Sequence, residues 1–340
     1  MKFNSTKTLL MFTLISGVLI SVSSNSWLGV WLGLEINLLS FIPIMSSSED
    51  IITTEASMKY FIVQAMASSI LIFMVTTTTI MKPLIMNTLF TEMPLNLPLL
   101  IKLGSAPFHW WFPSVMEGLQ WSNCFILLTI QKIAPLTIIS YTMTLNSIST
   151  ILIMASVIVG SMGGYNQTSL RKILTYSSIN HLGWLIPATI VSKPMFLVYL
   201  TIYSLMNWII TSLMSSMSAS NINQINSSSR SNTLKKILMM MTLLSLGGLP
   251  PFIGFLPKWL MIMSLINNSN YMTITLMVLT SLITLYYYLR LTYTSMMVQD
   301  VKTKWHMYNP FTSQMKILTS MTILTLGGML IMIPMMSFTS

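Results

Sequence analysis

Charge is what this sequence has least of. Only 7% of its 340 residues are charged, against the roughly 25% of an ordinary soluble domain, and only seven are acidic. A water-facing surface cannot be assembled from so few charges. With 53% hydrophobic residues and a mean hydropathy of +0.73, the chain reads as a polytopic membrane protein. Cysteine is nearly absent as well. The single Cys124 excludes an internal disulfide and any multi-cysteine iron–sulfur or zinc centre. No GxGxxG follows a strand pattern, no GxxxxGK[ST] phosphate loop occurs and no metal-ligand spacing repeats, so the chain is expected to bind neither nicotinamide nor a metal itself. The start, MKFNSTKTLLMFTLISGVLI, lacks a small-residue cleavage pattern and is expected to continue as a spanning helix. The net charge of +10 does not argue for nucleic acid, because the basic residues fall between apolar runs rather than on one soluble face.

Methionine, by contrast, is abundant, with 33 copies. It fills irregular core gaps, but the accompanying Ile, Ser, Thr and Asn point to the codon bias of a small A+T-rich organellar genome. One stretch also occurs twice. GSAPFHWWFP at 104–113 and GLPPFIGFLP at 248–257 align at an offset of 144, with Gly104 on Gly248, Pro107 on Pro251, Phe108 on Phe252 and Pro113 on Pro257. Proline removes a helical hydrogen bond, so each copy should break the helix it interrupts. Paired breaks in two halves of a membrane chain indicate an internal repeat with a transport site between the halves.

A spanning helix needs about 20 apolar residues. The apolar runs predict eleven spans at 7–24, 26–45, 57–80, 86–118 (broken), 122–142, 148–164, 171–190, 195–217, 234–265 (broken), 270–292 and 317–336, with Asn221–Asn232 as a flexible Ser/Asn-rich loop. Of the 17 basic residues this places 12 on the N-terminal side, 2 opposite and 3 inside spans. By the positive-inside rule the N-terminus lies on the matrix or cytoplasmic side and the C-terminus opposite.

The three lysines inside spans are Lys102, Lys132 and Lys258, and Glu35 joins them in GVWLGLEINLLSFIPI. A charge at mid-bilayer costs at least about 2.5–3.5 kcal/mol, so such residues face a bundle interior and mark an ion or proton path. Snorkelling or a structural ion pair is the alternative. Desolvation disfavours the ammonium form of a lysine and a nearby carboxylate favours it. A lysine held between those influences can load and release a proton, with Glu35 and Lys102 as the natural pair and Lys132 and Lys258 as relay stations. His109 in the first break and His181 in SSINHLGW are possible proton carriers or structural hydrogen-bonding groups. Glu117 is expected at a span end, facing water.

Six stretches, SNSWLGVWLGLEINLLSFIP, TEASMKYFIVQAMAS, KLGSAPFHWWFPSVMEGL, QKIAPL, GGYNQTSLRKILTYSSINHLGW and SLGGLPPFIGFLPKWL, together resemble the chain 2 family of mitochondrial NADH:ubiquinone oxidoreductase (respiratory complex I), its insect-type members in particular. The likeness runs from about residue 20 to 290 and is weak over the last 40. It implies an all-α antiporter-like subunit of two inverted five-helix repeats, each with a broken helix, at 1–142 and 148–292, followed by a loop and C-terminal helix at 293–340. Matching motifs place the family's Glu–Lys pair on Glu35 and Lys102, its central lysine on Lys132 and its distal lysine on Lys258. The implied function is proton translocation in the mitochondrial inner membrane. FMN, iron–sulfur clusters and ubiquinone belong to partner subunits; neighbouring antiporter-like and small hydrophobic subunits and lipids such as cardiolipin are the expected contacts. A free-standing sodium/proton antiporter and a purely structural subunit are the competing readings.

Overall fold

In a computed structural model of the chain, residues 5–47, 50–81, 88–228 and 233–297 are described, with positions 319 and 322 beyond them. The predicted span at 317–336 and most of the connection before it lie outside the described residues. The elements are α1 (Ser5–Ser23), α2 (Trp27–Met45), α3 (Ile51–Met81), α4 (Thr88–Leu103), α5 (Trp111–Gly118), α6 (Trp121–Leu128), α7 (Ile130–Thr142), α8 (Ser147–Gly164), α9 (Leu170–Val191), α10 (Lys193–Met217), α11 (Ile222–Ser228), α12 (Thr233–Gly247), α13 (Phe255–Asn267) and α14 (Tyr271–Met297). Seven helical segments among the described residues are long and apolar enough to cross a membrane: α1, α2, α3, α6 with α7, α8, α10 and α14. The chain is an all-α polytopic membrane protein.

Helix is the only open-ended structure that satisfies its own backbone in lipid, and the many Ser and Thr do not undermine it. Their hydroxyls bond back one turn, as in Ser21 to the Val18 carbonyl and Ser178 to that of Thr175, both at 2.7 Å. Polar loops carry the caps: the Ser26 side chain accepts from the Gly29 N–H, and Asn146 with Ser149 forms a capping box. Large apolar side chains such as Phe12, Leu28 and Leu279 point outward, where lipid replaces water as solvent.

α1 packs against α2, α2 against α3, α3 against α4 and α5, and α4 against α7; in the second half α8 packs against α9, α9 against α10, α10 against α12 and α13, and α12 against α14. Small residues permit the closest approaches. A Cβ on Gly33 would lie 2.5 Å from the Ser21 nitrogen, and one on Gly160 2.4 Å from that of Asn180. Two large apolar clusters fill the interior, and Lys132 and His181 fall at their seam. Leu128 and Ile179 belong to one cluster, Ala134 and Leu182 to the other.

The span predicted at 122–142 is present as Trp121–Thr142, with a local interruption at Thr129 (φ −121°, ψ −73°), whose hydroxyl bonds the Phe125 carbonyl at 2.7 Å. Two expectations are corrected. α3 starts at Ile51 rather than 57, extending into the predicted polar connection. The Ser/Asn-rich segment expected as a loop contains α11, held by the Leu170 N–H on the Ser220 carbonyl and the Ile222 N–H on that of Thr168.

Candidate functional site

Both repeated motifs break their helix in the same way. α4 ends with Gly104 at φ +69°, its N–H on the Ile101 carbonyl at 3.1 Å and that of Ser105 on Leu100 at 3.2 Å. α12 ends with Gly248 at φ +82°, its N–H on Ser245 at 3.0 Å and that of Leu249 on Leu244 at 3.4 Å. This pair of bonds around a left-handed glycine is the Schellman motif. Each break leaves carbonyls inside the bundle that lack the N–H of the residue four positions on. In the first, the Lys102 carbonyl accepts from Gln64 Nε2 at 3.2 Å and Ile101 from Trp111 Nε1 at 3.1 Å. In the second, Lys258 Nζ donates to Gly247 at 2.9 Å and reaches Leu246 at 3.4 Å. Positions 102 and 246 are equivalent under the 144-residue offset, so one capping task falls to a glutamine in one half and a lysine in the other.

The three span lysines are all buried. Lys132 sits on α7, between the Thr129 interruption and Pro135, and its Nζ donates to the Tyr203 hydroxyl at 3.2 Å. The Phe112 and Tyr203 rings lie 5.3 and 5.2 Å from that Nζ, so two π-faces stand in for solvent around the charge. Tyr203 also packs against the His181 ring at 5.1 Å between centroids, and His181 Nδ1 pairs with the Tyr199 hydroxyl at 2.9 Å. The charges of both Lys258 and Lys132 reach His181. Lys258 additionally faces the Trp184 ring at 5.9 Å. α7, α9, α10 and α13 thus bring Lys132, His181 and Lys258 together.

On the other side, a cavity of about 20 Å³, room for a water molecule, joins Lys102 to Lys132. Asn37, Tyr60, Gln64 and Gln131 line it. Gln131 Nε2 donates to Asn37 Oδ1 at 3.0 Å and the Tyr60 hydroxyl donates to Gln131 Oε1 at 3.3 Å. Glu35 is half-buried on α2; its charge acts on Lys102, but no direct ion pair joins them. Glu117 closes α5 and pairs with Lys172 at 2.7 Å, at a span end as expected. His109 lies at the half-exposed lip of the first break, Nδ1 beside the Pro107 carbonyl at 3.2 Å, away from the lysine row. Among the described residues no three His, Cys, Asp or Glu side chains gather into a metal site.

Sequence reasoning overlooked Tyr199, Tyr203 and the amides. Their signal was available in single polar residues within apolar runs: Asn37 in GLEIN, Gln64 in FIVQAMA, Gln131 in TIQKIAP and Asn207 in SLMNWII.

Residues 24–284 match the family described as NADH:quinone oxidoreductase/Mrp antiporter, TM. Among curated relatives, NADH-ubiquinone oxidoreductase chain 2 of Anopheles gambiae is 46% identical over 326 residues, covering 95% of either chain. The Bos taurus protein of the same name is 36% identical, covering 97% of each. In fold, the chain is similar to one in respiratory complex I from Thermus thermophilus, with TM-score 0.83, 22% identity, and coverage of 96% of this chain and 78% of that one. It also resembles a chain of an archaeal membrane-bound sulfane sulfur reductase, with TM-score 0.80, 16% identity, and coverage of 96% and 73%.

Proposed function

Since the chain belongs to the NADH:quinone oxidoreductase/Mrp antiporter membrane family, we propose that it is a proton-translocating membrane-arm subunit of an NADH:ubiquinone oxidoreductase in the mitochondrial inner membrane. The observation that carries this reading is Lys132: a buried ammonium at a helix interruption, with the water-sized cavity toward Lys102 on one side and Tyr203 with His181 on the other. A purely structural bundle would gain by replacing such a group with leucine.

In this reading Glu35 biases Lys102, Lys102 exchanges protons with Lys132 across the cavity, and Lys132 exchanges with Lys258 by way of Tyr203 and His181. His109 is the candidate at the outer lip of the break. Redox chemistry, with its FMN, iron–sulfur clusters and ubiquinone, resides in partner subunits, which drive this one. Two inverted five-helix repeats plus a C-terminal helix give eleven spans, with the N-terminus on the matrix side. Support comes from the two Schellman breaks at one offset, the parallel order of helix neighbours in the halves and the 12-to-2 division of basic residues.

The test is Lys132→Met in the assembled complex. Protons pumped per NADH should fall while NADH oxidation by uncoupled membranes and assembly persist. An unchanged stoichiometry in an assembled variant overturns the relay.

A further inference from the structure

A second cavity, of about 240 Å³, lies on the flank of Lys132 that faces α10. Its origin is the interruption at Thr129. α6 packs directly on α10, whereas past Thr129 the chain turns and α7 packs on α1, α4 and α9. A wedge opens between α7 and α10, crossed by the bond from Lys132 Nζ to the Tyr203 hydroxyl. Leu128, Ile133, Leu136, Leu185 and Leu200 make up most of its wall.

Water is a poor occupant of such a space. An ordered water needs about two to four polar partners, and no hydroxyl on the wall is left without one. Thr129 bonds the Phe125 carbonyl at 2.7 Å, Ser204 bonds that of Thr201 at 2.9 Å, and Tyr203 accepts from Lys132. Apolar cavities of roughly 150 Å³ stay dry and take apolar ligands. Left empty, the wall would forfeit its dispersion contacts on one side.

The mouth decides which apolar ligand is at hand. Phe125, Ile133, Leu200 and Ser204 rim it and are half-buried, next to Leu197 and Thr201, which are exposed. Positions 129–133 and 200–204 occupy the middle of the spans Trp121–Thr142 and Lys193–Met217. The hydrocarbon core of a bilayer is about 30 Å thick, so the medium at that depth is the ends of acyl chains rather than headgroups.

We propose that this cavity is a binding site for the terminal segment of a lipid acyl chain, which enters between α7 and α10. The site stands whether or not Lys132 relays protons. Chain carbons there keep water off the flank of Lys132 that faces α10.

The test places the intact membrane complex in vesicles of phosphatidylcholine that carries a diazirine on the last carbons of one acyl chain, and maps the labelled residues after illumination. Leu197 and Thr201 meet bulk lipid and should be labelled in any case. Label should also reach Leu128, Leu136 and Leu185, which are 0%, 0% and 1% exposed and which lipid outside the wedge does not touch. In Leu200→Trp, whose indole fills the wedge, label on these three should fall several-fold while that on Leu197 stays. Ser204→Phe, on the same rim, takes its place if Leu200→Trp does not assemble on a native gel. Label confined to Leu197 and Thr201 in the native complex overturns the proposal, and means that a protein side chain or water fills the wedge. Undiminished label on Leu128, Leu136 and Leu185 in an assembled variant overturns it as well, because the probe then arrives by another route.

Discussion

At the scale of residues, the site is built by giving each buried cation a different substitute for water. Lys258 uses carbonyls released by its own helix break, Lys132 uses a tyrosine hydroxyl and two aromatic faces, and Lys102 has a small polar cavity and the field of Glu35. Those substitutes differ in how readily they let a proton go: a carbonyl accepts from an ammonium but cannot receive its proton, whereas a hydroxyl can pass one on. Lys132 is therefore the residue with chemistry open on both sides. The Glu35–Lys102 pair carries its own prediction. Glu35→Gln removes the carboxylate whose charge acts on Lys102, so the pH dependence of NADH-driven turnover should change. A pH–activity profile of membranes carrying the variant measures this; superimposable profiles would show that the two residues act independently.

At the scale of elements, the breaks in α4–α5 and α12–α13 depend on glycine for two separable reasons. Gly248 adopts φ +82°, which costs an L-residue about 1–2 kcal/mol, and its missing Cβ leaves room for Lys258 Nζ, which would lie 2.9 Å from a methyl there. Gly248→Ala should lower the thermal stability of the assembled complex and displace Lys258 from the Gly247 carbonyl, reducing pumping as well. Gly247→Ala is the control: it is helical, and a Cβ there meets nothing nearer than 3.4 Å, so stability should hold or rise. Equal melting temperatures for the two variants would refute the account. The existence of these breaks was legible in the sequence because proline and glycine act locally. The interruption at Thr129 was not: it carries neither signal, and its φ and ψ follow from packing of α6 and α7 against other helices.

For the molecule as a whole, apolar side chains turn outward to lipid around an interior that holds the buried lysines. In the proposed reading, redox chemistry belongs to partner subunits and the drive for proton movement arrives from them. In mild-detergent extracts separated on a native gel, the polypeptide should migrate only in a large band that stains for NADH oxidation and yields its peptides. Finding it alone, outside any stained band, would favour a free-standing antiporter, and a sodium-flux measurement on the isolated protein would follow.

The sequence by itself determined the class of the protein, the approximate positions of seven spans, the two breaks and the identities of the buried cations. Each of these follows from composition, run length or residues whose effect reaches no further than one turn. Only the tertiary structure decided which of those cations have chemistry in common. Lys132 and Tyr203 are 71 positions apart, and Gln131 and Asn37 are 94 apart, so their meeting depends on how α7 sits against α10 and α2. That no direct ion pair joins Glu35 and Lys102 was decided there too. Helix packing sets such distances, and packing sums many weak contacts along the whole chain, none of which is visible at a single position.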